Sequence, residues 1–257
     1  TDEPHINVPL PAIRWTTDLF PEFKKTYGYD LVPRLLSLSE PVGDFRKVRH
    51  DYYQLLLRLF IDRWAKPSYD FYTENNLQLT GHYWEHEWPR IGPGPDNMAM
   101  SAWQHMPGID LLFRKFDEES PRAQFGNIRI VKEVASIARQ FGRKRVLAEM
   151  YGGAGYGLSF KDQKRLGDWA FVHGINFMTQ HLGLSSISGC RKYDYPPVFS
   201  PAAPWWGDYK ILNDYFAKLS LALTSGKEEN EILLMEPTTN IWIYSSYLGD
   251  TDEAQQI

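Results

Sequence analysis

Apolar residues along this chain follow two spacings, and the alternation between them predicts the elements. In the amino-terminal part the spacing is helical. Asp18 precedes LFPEFKKTYG, with Pro21 in the first turn and Gly28 just past the last, the usual punctuation of a short helix. Asp30 begins a second helix, with Leu31, Leu35 and Leu38 on one face. A long helical pattern covers residues 44–75 through Tyr52, Leu55, Leu56, Leu59, Phe60 and Trp64, and Pro67 is expected to kink or divide it.

From residue 77 the rhythm changes to short apolar runs separated by helical stretches. Residues 77–84 read as a strand and 109–113 as a short buried one, with a loop and one helical turn between them. Residues 126–141 form an amphipathic helix with Ile130, Val134, Ile137, Ala138 and Phe141 on one face and Gly142 closing it. A strand at 145–149 runs into the glycine-rich loop MYGGAGYG; a helix at 160–173, a strand at 175–180, a long aromatic loop to Trp206, a helix at 208–224 and a last strand at 232–236 follow.

Strands alternating with helices predict an α/β fold with a parallel sheet. With TDEP taken as the end of a strand, six strands end near Glu3, Trp84, Leu112, Glu149, Gln180 and Glu236. An eight-stranded (β/α)8 TIM-type barrel needs two more, expected before the first residue, so the barrel is read as incomplete. The alternative is an open doubly wound sheet, but no GxGxxG or Walker loop is present. The chain opens on Thr1-Asp2-Glu3-Pro4 and reads as a single partial domain, 1–257, cut from a longer polypeptide with further domains.

Composition narrows the function. A net charge of -4 favours neither nucleic acid nor an anionic membrane as partner. No apolar run is long enough to span a bilayer, and no signal peptide is present. Cys190 is the single cysteine, so neither a disulfide framework nor a thiolate cluster forms within the chain. Aromatics make up 15% of residues, including 9 Trp, an excess that suits stacking on sugar rings as well as a core.

The stretch LTGHYWEHEW at 79–88 concentrates the candidate chemistry: a strand that ends in His82, Trp84, Glu85, His86, Glu87 and Trp88 before a Gly/Pro-rich loop. Strand ends carry glutamate elsewhere too, at Glu3, Glu149 and Glu236. In a barrel such ends converge on one rim, where residues distant in sequence face each other. Two facing carboxyl groups are what glycosidic cleavage needs, one to protonate the leaving oxygen and one to activate water or attack. His82 and His86 are four apart, but their order is not His-Glu-x-x-His on a helix, so oxygen ligation of calcium is the stronger metal reading than zinc. Asp2, Tyr151, Asn176, Gln180 and His181 offer polar groups for sugar hydroxyls, and Trp205 and Trp206 read either as a stacking platform or as a staple under the next helix.

Taken in order, TDEP, WTTDLFPEFKKTYGYDL, the long helix, GHYWEHEW, AEMYGGAGYG and HGINFMTQH resemble the catalytic barrel of the α-L-rhamnosidase-like glycoside hydrolases of family 106 and its relatives. That resemblance implies a (β/α)8 barrel in a large, extracellular or periplasmic enzyme that removes terminal sugars from oligo- or polysaccharide. It also implies inversion by two glutamates with a calcium ion near the sugar. Carried onto this chain it makes Glu149 the general acid and Glu3 the general base or a metal ligand. GHYWEHEWPRIGPGPDNMAM departs from the expected pattern, which leaves Glu85 and Glu87 as rival carboxylates and another deoxy-sugar or a uronic acid as rival substrate. The readings from other classes are a carbohydrate-binding domain without catalysis and a metal-dependent hydrolase using His82 and His86.

Overall fold

The structure, a computed structural model, describes residues 1–6, 8, 12–85, 91, 94–112, 129–226 and 228–245. Four parallel strands form one sheet: β1 (Thr80–Gly81), β2 (Met106–Leu111), β3 (Leu147–Met150) and β4 (Phe177–Gln180). They lie side by side in chain order. A doubly wound sheet would reverse direction at a switch point. Here there is none among the described strands, so the sheet has the arrangement of part of a (β/α) barrel.

Nine α-helices accompany the sheet among the described residues. α1 (Leu19–Tyr27), α2 (Leu36–Ser39), α3 (Phe45–Phe60) and α4 (Lys66–Glu74) precede β1. α5 (Asn97–Ser101) precedes β2, α6 (Arg129–Gln140) precedes β3 and α7 (Phe160–Val172) precedes β4. α8 (Lys210–Ser225) and α9 (Thr238–Tyr244) complete the series. The division of the long helix comes just before Pro67. A π turn at Ile61–Ala65 separates α3 from α4 in one continuous run of helical backbone, and Pro67 falls directly after it, where the widened turn accommodates a residue without an N–H.

The core has two main parts. Ile109, Leu111, Ala148 and Met150 point from the sheet into Ile130, Val134, Leu166 and Ala170 of α6 and α7. Because side chains alternate along a strand, the opposite face receives the residues in between. The register places Asp110, Glu149 and Thr179 in one row across β2, β3 and β4. The second core joins α1, α3 and α9 through Phe23, Tyr52, Leu55, Ile241 and Trp242.

Two expected strands are not formed. TDEP is irregular chain lying along β1, where the Thr1 nitrogen donates to the Thr80 carbonyl at 2.6 Å. Residues 232–236 are irregular too; Ile232, Leu233, Leu234 and Met235 are 80–88% exposed, because an apolar run becomes a strand only where another strand accepts its hydrogen bonds. Phe141, expected on the buried face of α6, is exposed, since the helix stops at Gln140 and Gly142 turns the chain at φ 65°.

Candidate functional site

The site is built where β1, β2 and β3 end. β1 stops after two residues and its loop carries His82 back over the sheet, where only 3% of the residue remains exposed. Its Nε2 lies 2.7 Å from Glu149 Oε2, at the end of β3. The same nitrogen is 3.8 Å from Asp2 Oδ1, and Nδ1 is 3.9 Å from Glu3 Oε1. His181, just past β4, brings its Nε2 to 3.9 Å from Glu149 Oε1. The amino-terminal segment, the loop after β1 and the ends of β2, β3 and β4 thus meet around His82 and Glu149.

Charge crowding sets the protonation of this group. Burial, the largest single influence on His82, disfavours its charged form, but the hydrogen bond to Glu149 and the charges of Glu85, Asp110 and Glu149 together outweigh it and raise the imidazole to about 9. The hydrogen bond from His82 in turn holds the Glu149 carboxyl below its usual value, against partial burial. Burial lifts Asp110 to about 7; His82 opposes this, and the charges of Glu149, Glu3 and Asp2 add to it. Asp110 escapes a sequence reading because one acid in an apolar strand looks like an interruption. The available signal was the cost of a carboxylate in a buried strand, which calls for a partner or a function.

Of the other sequence candidates, Glu85 is near but enclosed. It is 3% exposed, and its two oxygens accept from Tyr83 N at 2.9 Å and Asp110 N at 2.6 Å. Burial raises its carboxyl to about 8, against the pull of His82 and of the backbone donors. Trp84 is half-buried, edge-on to His5 at 5.8 Å. Tyr151 is fully buried, its hydroxyl donating to the Gln163 carbonyl at 2.9 Å. Asn176 lies at the opposite end of the sheet, before β4, where it accepts from Val146 N and donates to the Lys144 carbonyl. Gln180 turns toward Asn213, at 3.4 Å. Trp205 packs against Phe160 and Phe199 as a staple, while Trp206 stacks on Tyr209 with 39% exposure. Glu236 is engaged by Arg129 at 2.9 Å. His86, Glu87 and Trp88 lie outside the described residues.

Two overlapping trios have the ligand geometry of a cation site: Asp2, His82 and Glu149, and Glu3, His82 and Asp110, each with ligand atoms within 4.8 Å of one another. In the second trio His82 Nδ1 and Asp110 Oδ1 are buried with no hydrogen-bond partner, and a cation that displaced the Nδ1 proton would satisfy both. The donors therefore fit a divalent cation. Carboxylates alone suit calcium, whereas a set that includes the imidazole suits a first-row transition ion.

Residues 11–245 match the model of glycoside hydrolase family 106, described as alpha-L-rhamnosidase. The chain belongs to this family. A solved structure of a rhamnosidase from Novosphingobium sp. PP1Y is similar, with a TM-score of 0.64 and 25% sequence identity. The likeness covers 83% of this chain and 21% of that one, so the chain spans about a fifth of the length of the rhamnosidase it matches. A comparison with curated proteins finds no match. Among the described residues, no helix is long and apolar enough to cross a membrane.

Proposed function

We propose that this chain carries the acid/base centre of a glycoside hydrolase that removes a terminal α-L-rhamnose, or a related deoxy-sugar or uronic acid, from an oligo- or polysaccharide. The observation that carries this reading is that Glu149 and Glu3 face the two nitrogens of one buried imidazole. Both carboxylates therefore border the same ring, as two carboxyls that act on one bond must share one rim. Glu149, kept ionised by His82, serves as the base that takes a proton from the attacking water. Glu3, whose side chain keeps 23% of its exposure, donates a proton to the leaving oxygen. These roles are exchanged relative to those the resemblance implies, because the hydrogen bond from His82 holds Glu149 in the ionised form that a base needs. A divalent cation held by Asp2, Glu3, Asp110 or Glu149 would orient sugar hydroxyls, with calcium the choice that the family resemblance favours. A carbohydrate-binding domain without catalysis has no need for the facing pair.

The test is hydrolysis of a panel of aryl glycosides by the full-length protein and by its Glu149→Gln variant. We expect cleavage of the α-L-rhamnoside or a close analogue, and a loss of about 10³-fold in the variant with its fold retained. Near-normal turnover by the variant would remove Glu149 from the chemistry.

A further inference from the structure

We infer that Glu85 is a positioning residue: a buried carboxyl group that stands in for the missing continuation of β1 and thereby sets His82 against Glu149. The inference rests on the hydrolase reading of the site and adds to it a residue that never meets the sugar. β1 pairs with β2 at only two positions, Thr80 with Met106 and Gly81 with Pro107. Past that point β2 continues to Leu111 and pairs with β3 on its other side. Its N–H groups facing β1 are buried and need acceptors, and an unmade buried bond costs about 1–3 kcal/mol.

Two side chains supply the missing rungs. Gln104, completely buried, accepts from Gly108 N at 3.2 Å and donates to the Gly81 carbonyl at 3.2 Å. One step further along, Glu85 takes Asp110 N with one oxygen and Tyr83 N with the other. Both ends of this second link adjoin the site. Tyr83 follows His82, and Asp110 shares a row with Glu149. Closing β1 as a normal strand would run the chain straight past the sheet; the link through the Glu85 carboxyl group lets it turn, so that His82 comes back over β3. With both oxygens occupied and 3% exposure, Glu85 has no route to a bound sugar.

Glu85→Gln tests this, since it keeps the shape but sets an NH2 group against one of the two N–H donors. In the full-length protein kcat should fall about 10²-fold with KM within about twofold, because a displaced imidazole harms orientation and not ground-state binding. Glu133→Gln alters another buried carboxyl, one paired with Arg129 on α6 and not with either N–H, and should leave kcat at the wild-type level. The 15N resonances of the His82 ring give a readout independent of turnover: the signature of its hydrogen bond to Glu149 should be lost in Glu85→Gln and kept in Glu133→Gln. An unchanged His82 signature, or wild-type kcat in Glu85→Gln despite a lowered melting temperature, would overturn the inference. A wild-type protein that cleaves no glycoside would instead sink the hydrolase reading while the resonance test still decides the role of Glu85.

Discussion

His82 Nε2 lies 2.7 Å from Glu149 Oε2, a contact that ties the loop after β1 to the end of β3. It is charge-assisted and mostly closed to water. Each partner shifts the other: the imidazole is raised to about 9 and the carboxyl is lowered. By linkage, a raised histidine contributes its full stability below its ordinary value of 6.5, and that contribution disappears as the pH climbs through about 9. In metal-free protein, wild type should therefore lose stability relative to His82→Gln across that interval, by on the order of 3 kcal/mol. Denaturant titrations of both proteins at pH 6 and pH 9.5 measure it; parallel curves would show that His82 is not charged in the folded state.

The orphaned pair, His82 Nδ1 and Asp110 Oδ1, predicts a response to cations. A divalent ion that binds only the folded protein should raise the melting temperature by roughly 5–10 °C at a hundredfold excess over its Kd. Calcium, manganese and zinc added separately to chelator-treated protein would distinguish an oxygen-only set from one that includes the imidazole. Asp110→Asn should abolish the shift. A shift that survives this substitution would place the ion elsewhere.

Much of this was legible in the sequence, and the misses share a physical cause. The strands ending at Glu149 and Gln180 could be read because each is a short apolar run closed by a glycine-bearing or polar loop, which are local signals. Residues 232–236 carry the same local signal, yet strand formation depends on a neighbour that local sequence does not contain. α9 was missed for the converse reason, since Ile241 and Trp242 follow irregular chain and are organised by α3. At the site, Glu149, His82 and His181 stand at strand ends, where chemistry is expected. Asp110 joins them only through the register of β2 on β3, which no spacing along the chain reveals. Glu85 was legible as an acid near the site, but its enclosure by two backbone donors was not.

Among the described residues, Tyr195 offers an exposed aromatic ring beside His181 at this rim. It is 53% exposed, holds a positive φ of 43°, and lies edge-on to His181 with centroids 6.2 Å apart. Its carbonyl accepts from Gly153 N and that of Pro196 from Gly155 N, so the glycine-rich loop after β3 fixes its backbone. Tyr195→Ala should raise KM for an oligosaccharide roughly tenfold with little change in kcat, and Tyr195→Phe should restore binding by keeping the stacking face. Equal KM values for all three proteins would take the ring out of the binding surface.

Two glycines separate the requirement for Glu3 from the requirement for a stable fold. Gly81 has φ 143°, and a methyl group there would sit 2.0 Å from the Thr1 carbonyl oxygen. Gly81→Ala must therefore push the segment carrying Asp2 and Glu3 away from His82. Gly167 faces Phe216 between α7 and α8, where a methyl group would come within 2.3 Å of the ring. Gly167→Ala should cost about 1–3 kcal/mol through overpacking, yet leave kcat/KM of the folded enzyme unchanged, since no site residue touches that contact. Gly81→Ala is strained at its own φ and costs stability too, but unlike Gly167→Ala it should lower kcat/KM about 10²-fold even at temperatures where the protein is fully folded. The comparison uses thermal melts alongside kinetics on the same preparations. Wild-type kcat/KM in Gly81→Ala would mean that the chemistry does not need Glu3 beside His82, and the second carboxylate would have to be sought elsewhere on the rim.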